Sequence, residues 1–205
     1  MRGAEAPAAR STGEAPRLVV LAGPNGAGKS TTAPSILRDA LAVREFVNAD
    51  TIAQGLSAFD VDAAAIRAGR IMLDRIHELA RERVDFAFET TLASRSFAPW
   101  IRQLGSAGYQ IELVFVWLAS PELAVARVAS RVRRGGHSVP ESVIRRRYER
   151  GLRNFFQLYR PLADHWHFLD NSGPRPIHRI AEGVGVGENR IEDERLWQQL
   201  VEQWE

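Results

Sequence analysis

The chain has 205 residues, of which 45% are apolar and 25% charged, and a formal net charge of +2. That is ample for one α/β domain, short for two, and balanced like an ordinary globular protein. So small a net charge excludes a global field that gathers nucleic acid, and the absence of cysteine excludes disulfides, thiolate catalysis and cysteine-held zinc; no apolar run approaches the ~20 residues of a membrane-spanning helix.

Residues 1–16 are rich in Ala, Pro, Gly and Ser, lack periodicity, and have no apolar core of a signal peptide. They are expected to form a disordered leader to a single domain over 17–205. The apolar run at 18–22 then reads as a buried strand, followed by G-P-N-G-A-G-K-S-T at 23–31 and a helical stretch over 30–42. This is G-x-x-x-x-G-K-[ST] in its strand–loop–helix setting, the phosphate-binding loop. Gly23, Pro24, Asn25, Gly26, Ala27, Gly28, Lys29, Ser30 and Thr31 are therefore the candidate nucleotide ligands. Glycines let successive amides converge on one anion, and the helix start adds partial positive charge. Lys29 would reach the β- and γ-phosphates, and the Ser30 hydroxyl would sit on Mg²⁺. Lys29 is also the only lysine among the 27 basic residues, kept where a compact ammonium serves better than a planar fork.

Further along, 45–48 is a short strand ending in Asn48-Ala49-Asp50, and Thr51 opens a helical turn. A long helix is expected over 61–83, with Ile66, Met72, Leu73, Ile76, Leu79 and Ala80 on its apolar face. A strand at 85–88 runs into Glu89-Thr90-Thr91, a helix fills 97–107, and 111–118 is the most strand-like run in the chain. Ser120 caps a helix to about 132 with Pro121 at its first position. R-R-G-G-H-S-V at 133–139 breaks it, and Ser138 to Glu141 fits a capping box for the next helix, whose Ile144, Tyr148, Leu152, Phe155 and Tyr159 share a face. A last strand at 166–169, a turn at 170–174 and a terminal helix over 191–204 complete the chain. Strands alternating with helices imply a parallel sheet, with ligands beyond the carboxyl ends of its strands. Asp50, Glu89, Ser120 and Asn171 stand at such ends.

Phosphoryl transfer to a hydroxyl needs a carboxylate that orients the attacking oxygen and takes its proton, and Asp50 is the candidate base. Its alternative is a helix cap. Glu89, closing an apolar strand, would hold Mg²⁺ through water or bind a substrate hydroxyl, with Thr90 beside it and Arg95 just beyond. Arg127, Arg131, Arg133 and Arg134 approach the Gly-Gly break, and Arg145, Arg146, Arg147 and Arg150 leave it. Two arginine-lined helices on a glycine turn, about 127–150, resemble a hinged lid that neutralises transferring phosphate. Arg131, Arg134 and Arg146 are the preferred phosphate ligands, with His137 meeting substrate on closure. His165 and His167 read as structural histidines, since a metal site there lacks a third ligand. Asn171 is placed to meet adenine.

The loop at 23–31, V-N-A-D-T at 47–51, F-E-T-T-L-A-S-R at 88–95 and R-V-R-R-G-G-H-S-V-P-E-S-V-I-R-R-R-Y at 131–148 together resemble the zeta-toxin-like P-loop kinases, over about 17–173. They look most like the bacterial branch labelled predicted ABC-type ATPases, although the L-S-G-G-Q-like signature and Asp-Glu strand end of that class are missing. The resemblance implies an α/β P-loop NTPase fold with a parallel five-stranded sheet, order 2-3-1-4-5, flanked by helices and carrying the arginine-rich lid. It implies an ATP- and Mg²⁺-dependent kinase in which Asp50 matches the catalytic base, acting in zeta toxins on the 3′-hydroxyl of a UDP-N-acetylamino sugar. Glu89 matches the glutamate of the substrate site, and an antitoxin protein enters as a partner. The need for ATP and Mg²⁺ points to the cytoplasm. The residues alone leave open a nucleotide-binding switch or partner-driven NTPase in which Asp50 positions water, and a nucleic-acid-associated ATPase, which the basic cluster does not favour because no exposed aromatics interleave with it.

Overall fold

A computed structural model describes residues 15–57, 61–174 and 176–205. Most of the expected leader, residues 1–14, lies outside them. Strand β1 (Arg17–Ala22) is buried along its whole length, as a near-continuous apolar run must be when both sheet faces are covered. It pairs in parallel with β3 (Phe86–Thr90) on one side and with β4 (Gln110–Trp117) on the other. Short β2 (Glu45–Val47) adds outside β3, and β5 (His165–Asp170) adds outside β4.

The expected order 2-3-1-4-5 thus holds, but the sheet does not stop at five strands or stay parallel. β6 (His178–Val184) and β7 (Gly187–Ile191) extend it as antiparallel neighbours, giving β2-β3-β1-β4-β5-β6-β7. The terminal helix consequently starts later than expected, at α7 (Glu194–Trp204), capped by Asp193 through Leu196 N–H. Its Trp197 ring stacks on Trp166 of β5 at 5.2 Å, which seals this end of the core.

The remaining helices follow the expected order. α1 (Lys29–Ala33) continues as a π-helical stretch, Pro34–Ala40. α2 (Ala49–Leu56) and α3 (Val61–Glu82) pack as a pair through Ala53, Ala64 and Ala68. Met72, Ile76 and Leu79 of α3 reach the main core, whereas Ile66 and Leu73 do not: they are 75% and 41% exposed. The apolar stripe of α3 is therefore narrower than its periodicity implied, because small alanines occupy the contact with α2. α4 (Phe97–Ser106) covers β3 and β4; α5 (Pro121–Arg133) begins at Ser120, whose hydroxyl accepts from Leu123 N–H.

α6 (Glu141–Asn154) is capped at Pro140 without a side-chain bond, so the capping box at Ser138 does not form. Glu141 instead pairs with Arg145, which also reaches Glu122 of α5 and holds that carboxyl below its usual range. One face of α6 buries Ile144, Tyr148 and Leu152, as expected. Gly151 lets the helix lie against the exit of β3: a Cβ there would stand 2.5 Å from the Thr91 carbonyl oxygen. Helix propensity alone favours alanine over glycine by about 1 kcal/mol. We expect Gly151→Ala to destabilise the chain in urea titrations instead, by about 1–3 kcal/mol, because overpacking outweighs propensity.

Tyr148 donates to the Leu118 carbonyl at 2.7 Å and Tyr159 to the Ser94 carbonyl at 2.6 Å. Burial pushes both hydroxyls up to about 12. Between about pH 10 and 12 the unfolded chain loses these protons while the folded chain keeps them, so stability falls as pH rises through that window. The urea midpoint should drop across it, and the Tyr148→Phe/Tyr159→Phe chain should drop less steeply.

His167 lies between Glu112 at 2.9 Å and Glu182 at 3.1 Å, a cross-strand polar contact, while His165 is exposed. Among the described residues no group of three or more His, Asp or Glu is placed to hold a metal ion, and no helix is long and apolar enough to cross a membrane.

Candidate functional site

The carboxyl ends of β1 to β5 converge, as an open parallel sheet dictates. After β1 the chain turns through residues 23–28, with Gly28 at φ 85° where a side chain would be strained and its Cβ would meet the Asn171 amide at 2.7 Å. The amides of Gly26, Gly28, Lys29 and Ser30 donate to no backbone carbonyl among the described residues, as a loop that binds an anion through its backbone requires. Asn171, following β5, donates to the Ala27 carbonyl at 2.7 Å and so holds the loop from its far side.

Lys29 is 5% exposed, and its ammonium donates to the Gly23 and Pro24 carbonyls at 2.8 and 3.0 Å, with the Glu89 carboxylate at 3.5 Å. Burial pushes its pKa below the ordinary lysine value, an effect partly offset by the negative charges of Glu89 and Asp50. Glu89, near the end of β3, also accepts from the Ser30 hydroxyl at 2.8 Å and from the Asn48 amide at 2.7 Å. A hydroxyl and a carboxylate meeting beside the ammonium are hard oxygen donors, which fits a magnesium ion held jointly with phosphate oxygens and water.

Asp50 is the second residue of α2 and is exposed. The cap of that helix is not Asp50 but Asn48, whose side-chain oxygen accepts from the Asp50 and Thr51 amides at 2.8 and 3.1 Å. The Asp50 carboxylate is thereby released from capping.

Two cavities meet at this point. The larger, about 660 Å³, runs along the phosphate loop from Ser30 and Thr31 to Asn171, and α5 supplies Arg127, Arg131 and Arg134 to its wall. The smaller, about 210 Å³, is closed by Thr90, Thr91, Met72, Phe97 and Arg147. Asn25, Lys29, Asn48, Asp50 and Glu89 line both.

Of the lid residues, Arg127 donates to the Ser172 carbonyl at 3.2 Å, Arg134 to Ser130 at 3.3 Å, and Arg131 to the His137 carbonyl at 2.9 Å, which folds the Gly-Gly turn back onto α5. Arg146 is exposed and lines neither cavity; its neighbour Arg147 reaches inward, 3.4 Å from Asn25. Arg95 is also exposed and lines neither, and His137, whose carbonyl takes the Arg131 guanidinium, lines neither cavity as well. Asn48 carries a role the sequence reading did not give it. The available signal was an asparagine two residues before the strand-end aspartate, where a cap is wanted.

Residues 4–178 match the model of the family described as Zeta toxin. An uncharacterized protein of Haemophilus influenzae is 28% identical over 132 residues, covering 64% of this chain and 92% of that protein. Among solved structures, the complex of AvrRxo1-ORF1 and -ORF2 with ATP superposes with a TM-score of 0.69 at 16% identity, over 92% of this chain and 64% of that one. The chain thus spans under two thirds of the length of that relative. The PezAT toxin–antitoxin system of Streptococcus pneumoniae gives a TM-score of 0.62 at 15% identity, over 95% of this chain and 87% of that one.

Proposed function

The chain belongs to the zeta toxin family, and from that premise we propose that it transfers the γ-phosphate of ATP to a hydroxyl of a small molecule, with Asp50 as base. The observation carrying this reading is the shared wall of the two cavities. Lys29, Asp50 and Glu89 stand where a nucleotide along the loop and an acceptor in the smaller space would touch.

In this reading the loop amides and Lys29 hold the phosphates, while Asn171 borders the adenine. Glu89, Thr90 and Arg147 receive the acceptor. Asp50 orients its hydroxyl; as the oxygen–phosphorus bond forms, the bridging bond to the β-phosphate breaks, ADP leaves, and the hydroxyl proton passes to Asp50. Arg131 and Arg134 neutralise charge on the transferring group. Ser30 and Glu89 would hold Mg²⁺, which when bound supplies charge neutralisation across the phosphate oxygens. A UDP-N-acetylamino sugar is the first acceptor to try, an antitoxin protein is the proposed partner, and the cytoplasm, with its ATP, is the proposed location.

The test is a screen of transfer from γ-labelled ATP to candidate hydroxyl compounds, with the Asp50→Asn chain as control. Label appearing in an acceptor with the unaltered chain and not with the control supports the reading. Nucleotide-dependent capture of a protein partner with no labelled acceptor would overturn it in favour of a switch.

A further inference from the structure

We propose that Asn48 is a positioning residue whose buried amide locks the start of α2, and with it Asp50, to the glutamate beside the phosphate loop. Asn48 is 6% exposed. Its oxygen takes the Asp50 and Thr51 amides at 2.8 and 3.1 Å, and its nitrogen donates to Glu89 at 2.7 Å, with the Ser30 hydroxyl at 3.4 Å. Every donor and acceptor site of the side chain therefore faces a partner, on three different elements. The reversed amide would set its NH₂ against two N–H groups and its oxygen against a carboxylate, so the network fixes its orientation.

Capping alone does not require asparagine, since aspartate and serine cap helices equally well. Only an amide accepts from a helix start at one end while donating to a carboxylate at the other. The consequence is geometric: β2 contributes just three residues to the sheet and α2 otherwise packs on α3, so neither joins the start of α2 directly to the phosphate loop. The tie to Glu89 sets the distance from Asp50 to the loop. Displacement of a reacting group by about 1 Å costs on the order of 10²-fold in rate.

This inference rests on the phosphotransferase reading for its rate measurement but not for its spectroscopic one. Asn48→Asp keeps the shape and the cap and loses the donor; Asn48→Ser keeps a capping oxygen and loses the reach. The Asn48→Ser chain is expected to melt close to the unaltered protein, the Asn48→Asp chain lower because its carboxylate then faces that of Glu89, and both to bind a fluorescent ATP analogue with little change. Turnover of Mg·ATP, with water as acceptor, should fall in kcat by about 10²-fold with KM unchanged. Independently, the side-chain NH₂ nitrogen resonance of Asn48 in the unaltered chain should lie away from the free-amide position and return toward it in Glu89→Ala. Wild-type kcat in both variants, or a free-amide resonance in the unaltered chain, would overturn the proposal and leave Asn48 a cap. If the unaltered chain shows Asp50-dependent transfer neither to water nor to any hydroxyl compound of the screen, the phosphotransferase reading fails by itself, and the resonance alone decides the clamp.

Discussion

Asp50→Asn is expected to lower phosphate transfer about 10³-fold while leaving ATP affinity nearly unchanged. The amide matches the carboxylate in shape, and the backbone N–H that bonds Asn48 is retained, so α2 should not move. What is lost is a proton acceptor at the boundary of the two cavities, and removal of a general base costs 10²–10⁴-fold, roughly, in rate. Parallel measurements of labelled transfer and of fluorescent-nucleotide binding check both halves. A loss of binding as large as the loss of rate would place Asp50 among the nucleotide ligands instead.

Lys29→Ala should act on the other half of the reaction, weakening ATP binding and turnover together, by about 10²- to 10³-fold. The buried ammonium rests against the Gly23 and Pro24 carbonyls, so its charge is focused in a space that admits little water. Lys29→Arg keeps the charge yet should fail similarly, because a planar fork does not fit a position 5% exposed between two carbonyls. Calorimetric titration with Mg·ATP distinguishes the variants. Because burial pushes the pKa of Lys29 down, affinity in the unaltered chain should decline on the alkaline side before the ordinary lysine value is reached.

The sequence made the centre of the fold readable and its margins obscure, for physical reasons. β1 and β4 are apolar over most of their length because they are covered on both faces, and the loop between β1 and α1 has a spacing set by phosphate geometry. The hairpin of β6 and β7 left no such trace. Val184 to Gly187 alternates valine with glycine, β7 is exposed along most of its length, and an edge strand bearing Glu188 and Arg190 has no buried face to impose alternation. Arg147 was not separable from Arg146 by pattern alone, since one step along α6 rotates a side chain about 100° and only packing of Ile144, Tyr148 and Gly151 decides which arginine turns inward. Asn48 was hidden because its task depends on Glu89, a residue 41 positions away.

The central place of β1 also bears on how the protein is made. The phosphate loop precedes both strands that flank its own, β3 and β4, and Trp117 must leave the ribosome before both neighbours exist. The loop waits longer still for Asn171, whose amide holds Ala27. Contacts of such sequence separation form late and at an entropic cost that short-range ones escape. A nascent chain therefore carries the whole phosphate-binding motif before it has the scaffold to use it, and gains the last of that scaffold only once Asn171 has emerged.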